Sequence, residues 1–255
     1  MPRYRMTVAY DGTDFHGWQK QFRPDNDPLR TVQGVLEQIT IEVMREPLVL
    51  MGASRTDSGV HAKGQIAAFT ANKSIDPERL LCALNSRLPD DIQIKNVDMV
   101  DEQFDPISDC TNKNYRYQIA HGCSNPRRKP LLDRHTFAVI AKELNVAEMQ
   151  KATIHFLGEH DFIGFTKNNH GRESTIRTVE KCRVIELGEW RVAIDVCGRG
   201  FLWNMVRIIA GTLVEVGIGR VDADNISNII KSGNRQLAGK TMPPQGLSLE
   251  WIHYD

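Results

Sequence analysis

Leu48-Val49-Leu50-Met51, then Ser54-Arg55-Thr56-Asp57-Ser58-Gly59-Val60-His61-Ala62, then Ile66-Ala67-Ala68-Phe69 is the stretch on which the reading of the fold turns. Two apolar, strand-like runs enclose a loop that packs a cation, a carboxylate, hydroxyls, a glycine and an imidazole together. A polar loop carried by a rigid scaffold is where chemistry is commonly placed. Asp-Ser-Gly is equally an ordinary turn, with Asp accepting local backbone hydrogen bonds and Gly supplying a positive φ. The loop by itself leaves both readings open, and its surroundings must decide.

Upstream, Tyr4 to Tyr10 alternates at strand spacing and stops at Asp11-Gly12-Thr13, a turn signal. An aromatic connection follows, with Phe15, His16, Gly17, Trp18 and Gln19. Thr31 then caps a helix whose apolar face is Val32, Val35, Leu36, Ile39 and Val43. Strand two is Leu48 to Met51, and strand three runs from Gln65 to Thr70 on the far side of the loop. Asp76-Pro77 starts a second helix carrying Leu80, Leu81, Leu84 and Leu88; Pro89-Asp90-Asp91 ends it, and Ile92 to Val100 alternates as strand four. The order is β-α-β-β-α-β, the split or ferredoxin-like unit.

The second half repeats that order. A strand at Tyr115 to Ile119 leads into a basic, proline-bearing loop, and Asn145 with Glu148 caps a helix carrying Met149, Ala152, Phe156 and Leu157. Strands at Val179 to Ile185 and Trp190 to Cys197, a long helix with Leu202, Met205, Val206, Ile209, Leu213 and Val216, and a last strand from Leu247 to Tyr254 complete it. The sequence therefore predicts an α+β fold of two tandem ferredoxin-like units with mixed or antiparallel sheets, residues 1–108 and 109–255, joined near residues 101–113.

At 255 residues, 41% hydrophobic and 25% charged, the chain has the make-up of an ordinary globular protein. Net charge is zero, but residues 1–108 hold 12 Lys and Arg against 16 Asp and Glu, and the remainder 20 against 16. A polyanion would be gripped mainly by the second half. Five scattered cysteines without a CxxC pair argue for reduced thiols in a cytosol-like compartment, against a disulfide framework and against a zinc site. The start of the chain lacks the apolar core of a signal peptide, and Phe201 to Ile218, interrupted by Asn204, Arg207 and Glu215, reads as a buried amphipathic helix instead of a membrane span.

Several other features carry two readings each. Tyr115 and Tyr117 share one face of their strand while Arg116 points away; two aromatics on a sheet face are either core or a platform for an unpaired base. Lys113, Arg116, Arg127, Arg128, Lys129 and Arg134 cluster in residues 108–134, as a solvated loop or as a surface for backbone phosphates. Arg207 lies close to the buried face of its helix, so it either snorkels or pairs with an acid, for which Asp57 is the candidate. His61 and His160 read as structural hydrogen-bonders. Gly198-Arg199-Gly200 before a helix could form an anion nest, but it lacks the third glycine of a dinucleotide site.

With those pieces in place the chain resembles the tRNA pseudouridine synthase A family along nearly its whole length. The blocks that carry the likeness are Tyr10-Asp11-Gly12-Thr13-Asp14-Phe15-His16-Gly17-Trp18-Gln19, Thr31-Val32-Gln33-Gly34, Arg55 to Ala62, Tyr115-Arg116-Tyr117, His160-Asp161-Phe162, Phe201-Leu202 with Met205-Val206-Arg207, and Pro243-Pro244-Gln245-Gly246-Leu247. The resemblance implies that Asp57 is the catalytic aspartate, that Tyr115 stacks on the target uracil, that Arg207 pairs with Asp57, that Leu247 forms part of the apolar wall, and that Arg55 helps extrude the base. It also implies two ferredoxin-like halves with the active cleft between them, a homodimer, a cytoplasmic location, no membrane contact, and tRNA as substrate, at positions 38–40 of the anticodon stem-loop. No metal or cofactor is expected, because the isomerisation breaks N1–C1′ and joins C5 to C1′ without a redox step. Two departures stand out: Ser54 and Ser58 where the family has Gly and Ala, and Phe104-Asp105-Pro106-Ile107 where it commonly has Phe-His-Ala-Arg. Another tRNA position, another RNA, or a non-catalytic RNA-binding module that kept the fold are the alternatives.

Overall fold

The computed structural model describes residues 1–21, 29–167 and 173–255. The chain divides into two compact units, Met1–Thr111 with Leu249–Asp255, and Asn112–Ser248. Within them the fold is α+β, its strands mostly antiparallel.

In the first unit β1 (Arg3–Tyr10) buries every second residue, Tyr4, Met6, Val8 and Tyr10, as the alternation requires. Helix α1 (Val32–Met44) starts where Thr31 accepts the Gly34 N–H on its side chain and stops at Arg45 in the left-handed region. Its buried stripe holds Val32, Leu36 and Ile39 as expected, but also Gln33 and Glu37. Those two side chains explain a correction to strand two. Leu48 to Met51 is not a strand, and β2 is only Met51–Gly52. Leu50 is instead clamped by side chains: its N–H donates to Glu37 Oε2 at 3.0 Å and its carbonyl accepts from Gln33 Nε2 at 2.8 Å. With both of its backbone groups satisfied by α1, Leu50 has nothing to offer a neighbouring strand, and pairing starts only at Met51.

β3 (His61–Thr70) begins four residues earlier than the apolar run suggested, because Tyr10 pairs with Ala62 past a bulge. Helix α2 (Pro77–Asn85) has Asp76 accepting the Arg79 N–H at 3.1 Å and proline in its first turn. β4 (Ile92–Val100) follows, and the first unit has the order β4-β1-β3, with β1 antiparallel to both neighbours and β2 paired to β3.

The second unit contains most of β5 (Cys110–Ala120), which starts five residues before the predicted Tyr115, and β6 (Ala138–Val139), parallel to it. Helix α3 (Val146–Ala152) is capped by the Asn145 side chain at the Glu148 N–H, as its spacing predicts. The strand predicted at Val179 to Ile185 is broken in two. Of the pair β7 (Gly158–Asp161) and β8 (Ile176–Val179), β8 takes its start, and β9 (Lys181–Glu186) its remainder, because the Glu180 N–H turns away to Cys197 O. β10 (Arg191–Gly198) lies antiparallel between β5 and β9. Helices α4 (Met205–Gly217) and α5 (Ile226–Ser232) precede β11 (Leu247–Tyr254), whose last six residues run in the first unit beside β3. Among the described residues no helix is long and apolar enough to cross a membrane.

Arg116 does point away from the tyrosines, and for a structural reason. Asp195 on β10 is flanked by Arg116 on β5 and Arg183 on β9, with Arg116 donating from Nε and Nη2 at 2.7 and 2.9 Å and Arg183 from Nη2 at 3.0 Å. Burial pushes the Asp195 carboxyl up, but the hydrogen bonds and charges of the two guanidiniums outweigh it and hold it below the usual range. A group with a depressed folded pKa stabilises above its unfolded value, near 3.9, and that stabilisation is lost as pH falls through the lower folded value. Because both arginines are partly exposed, Asp195→Asn is expected to cost about 1–2 kcal/mol at neutral pH. The gap between the two proteins should close in thermal melts taken below about pH 4.

Candidate functional site

The backbone of the loop between β2 and β3 is held at several points. Ser54 donates its N–H to Gln65 Oε1 at 3.2 Å and accepts from Gln65 Nε2 at 2.6 Å, so one buried glutamine fixes the start. Thr56 is buried; its hydroxyl meets Tyr10 OH at 2.8 Å and its carbonyl accepts the Trp18 N–H at 3.1 Å. The Val60 N–H then donates to Asp57 O at 3.1 Å, with Gly59 at φ +76. This is the turn that Asp-Ser-Gly announces. The main chain makes a turn, and the turn leaves Asp57 half-buried at its first corner with Arg55 exposed beside it.

Two glycines of the preceding connection press directly on this turn. A Cβ on Gly12 would stand 2.0 Å from Val60 O, and one on Gly17, at φ +91, would stand 2.7 Å from Thr56 O. Phe15 and Trp18 of the same connection are packing groups, since both are buried and the Trp18 ring covers Gly52. Ser58, at one of the departures, adds a bond of its own from Oγ to Phe15 O at 3.1 Å. His61 is structural as expected, its Nδ1 accepting the Gly12 N–H at 3.1 Å.

The second unit gathers the other three expected residues on neighbouring elements. Tyr115 is buried, and its ring meets Phe201 edge to face with centroids 5.3 Å apart. Tyr117 is core: its OH donates to Pro243 O at 2.7 Å, and burial raises its pKa so that it stays neutral. Arg207 is half-buried on α4, where it donates from Nε to Met242 O at 2.7 Å and from Nη1 to Asn204 Oδ1 at 2.8 Å. Met242 in turn donates its N–H to Arg207 O at 3.3 Å. Arg207 and Tyr117 thus pin the ends of Met242-Pro243, from which a 3-10 turn, Pro244–Gly246, delivers buried Leu247. Gly246 is bare because the Tyr117 ring lies 2.6 Å from where its Cβ would stand.

Sequence reasoning missed the residues that fix these groups: Gln65, Tyr10, Phe201 and Asn204. The last is legible in hindsight, since Asn is the side chain most tolerant of the left-handed region that it occupies at φ 63. The basic segment is thinner than its composition suggests. Arg116 is committed to Asp195, Arg128 bonds Glu143, and Lys113 is buried, which leaves Arg127, Lys129 and Arg134 at the surface. His160 bonds Leu157 O. The Phe104 to Ile107 departure folds into an acidic turn: Ser108 and Ile107 donate their backbone N–H groups to Asp105 and hold its carboxyl below the usual range, while Tyr254 OH donates to Pro106 O. Among the described residues no group of three or more His, Cys, Asp or Glu side chains is disposed to hold a metal ion.

A family model described as tRNA pseudouridine synthase matches residues 6–107 and 152–255, which include Arg55, Asp57, Arg207 and Leu247. Tyr115 falls between the two stretches, but relatives cover it. The chain is 42% identical over 254 residues to a tRNA pseudouridine synthase A of Ruminiclostridium cellulolyticum, 41% to that of Acetivibrio thermocellus and 39% to that of Pseudothermotoga lettingae, with 100% of each chain covered. A loop fixed around one carboxylate, an arginine tied to the segment before the last strand, and likeness over the full length agree: the chain belongs to the tRNA pseudouridine synthase family.

Proposed function

We propose that this chain isomerises uridine to pseudouridine in the anticodon stem-loop of tRNA, at positions 38–40, with Asp57 as the reacting carboxylate. The family supplies the reaction class, and one observation carries the site: the turn that presents Asp57 is fixed by Gln65, Tyr10 and Trp18, so that its backbone is set before substrate arrives. In the reaction the N1–C1′ bond breaks, the uracil rotates, C5 bonds to C1′, the C5 proton leaves to solvent, and the freed N1 takes up a proton, so that the product is an isomer of the substrate. Asp57 acts either as a nucleophile or as the base of an elimination route.

The remaining roles belong to the same proposal, and the resemblance supports them. Tyr115 stacks on the uracil, Leu247 walls the pocket, Arg55 helps to extrude the base, and Arg207 supplies the counter-charge for Asp57. Residues 1–108 and 109–255 are two ferredoxin-like units, and for the first the order β1-α1-β2-β3-α2-β4 supports this. The working protein is a cytoplasmic homodimer.

The test is tritium release from tRNA whose uracils are labelled at C5. Release is expected with the wild-type chain, and none from any tRNA would overturn the reading. Mapping the modified uridines decides the position. The acidic turn at Asp105, standing where the family commonly carries a basic pair, favours a second reading in which other uridines are accepted, and a map lacking positions 38–40 would select it.

A further inference from the structure

One large aromatic next to the candidate site faces outward. Trp203 exposes 45% of its surface, whereas Trp18 is 1% exposed. An indole left half in water forgoes the burial that stabilises aromatic side chains, and such rings concentrate at recognition surfaces. It is held firmly: Trp203 O accepts from Thr166 Oγ1 at 3.0 Å, and the next residue is the left-handed Asn204 that accepts from Arg207. Phe201, two residues earlier, packs against Tyr115, and Arg207 lies one helical turn later.

One cation meets the ring, and two more lie on or against the chain just before it. Lys167 Nζ lies over it, 4.8 Å from the centroid. Arg177, braced by the Ser174 and Ile176 carbonyls, lies beside Gly200, whose Cβ would stand 4.0 Å from Nε, and Arg199 is exposed next to it. An exposed indole on an anchored backbone, with a lysine over one face and further cations on the adjoining chain, suits single-stranded nucleic acid, because every base has a π-face and each nucleotide brings a phosphate. We propose that Trp203 is a stacking platform for an unpaired nucleobase beside the target uridine, with Lys167 and Arg177 on its phosphates. The inference rests on the reading that the substrate is RNA.

The test uses the full chain and a tRNA transcript, with binding followed by fluorescence anisotropy and turnover by tritium release. Trp203→Ala is expected to raise both Kd and KM roughly 5- to 150-fold, the range of one lost base stack, with kcat within about twofold. Trp203→Phe should recover most of the loss, and Trp203→Leu should not. Unchanged binding in Trp203→Ala, or recovery by leucine as full as by phenylalanine, would overturn the platform. Wild-type binding without tritium release sinks the enzymatic reading alone, while release whose KM Trp203→Ala leaves unchanged sinks the platform alone.

Discussion

Asp57→Asn is expected to release tritium from C5-labelled tRNA at the background rate, a fall on the order of 10⁴-fold or more, the scale seen when a nucleophile or its equivalent is removed. Folding should survive. The turn at Asp57 is closed by backbone atoms, Val60 N–H to Asp57 O, and the segment is anchored by Gln65, Tyr10 and Trp18, so an isosteric amide disturbs no main-chain bond. Binding of tRNA, spread over many phosphates, should change little. The prediction separates an enzyme from a module that merely holds RNA, because binding alone gains nothing from a carboxylate in an anionic substrate's site. Asp57→Asn protein that releases tritium as fast as wild type would remove Asp57 from the chemistry.

What the sequence disclosed and what it hid follow a physical line. The caps at Thr31, Asp76 and Asn145 and the strand Ile92–Val100 depend on interactions within a few residues, and they fold as read. Leu48 to Met51 fails for the opposite reason, since its apolar residues point to a strand while Gln33 and Glu37, more than a dozen residues away, occupy the Leu50 backbone. The candidate site divides in the same way. Arg55, Asp57, Tyr115, Arg207 and Leu247 belong to recognisable blocks. Gln65 has no chemistry of its own and is found only through the two bonds it makes to Ser54. Tyr115 and Tyr117 looked equivalent on a period of two, and distant partners distinguish them: Pro243 takes the Tyr117 hydroxyl, while Phe201 meets the Tyr115 ring. Trp203 sat unnoticed in an apolar run whose helix begins only at Met205.

Gly12→Ala should destabilise the protein by about 3 kcal/mol, the upper end of the overpacking range, which lowers Tm by roughly 6–12 °C in a chain of this size. The new Cβ would stand 2.0 Å from Val60 O and 2.5 Å from Val60 C, and both are main-chain atoms that no rotamer change can move aside. Relief must come from shifting Val60, the residue whose N–H closes the turn on Asp57. A displacement of about 1 Å at the carboxylate is enough to cost roughly 10²-fold in turnover, so kcat should fall further than the loss of folded protein explains. Gly17→Ala presses on the same turn from the other side, through Thr56 O at 2.7 Å and a φ of +91 that disfavours any Cβ, and it should show the same pairing of lower Tm and lower kcat. Gly200→Ala, whose Cβ would meet nothing closer than 4.0 Å, is the control and should melt within about 0.5 kcal/mol of wild type. If Gly12→Ala melts and turns over like that control, the backbone around Asp57 is not the fixed template that its hydrogen bonds describe.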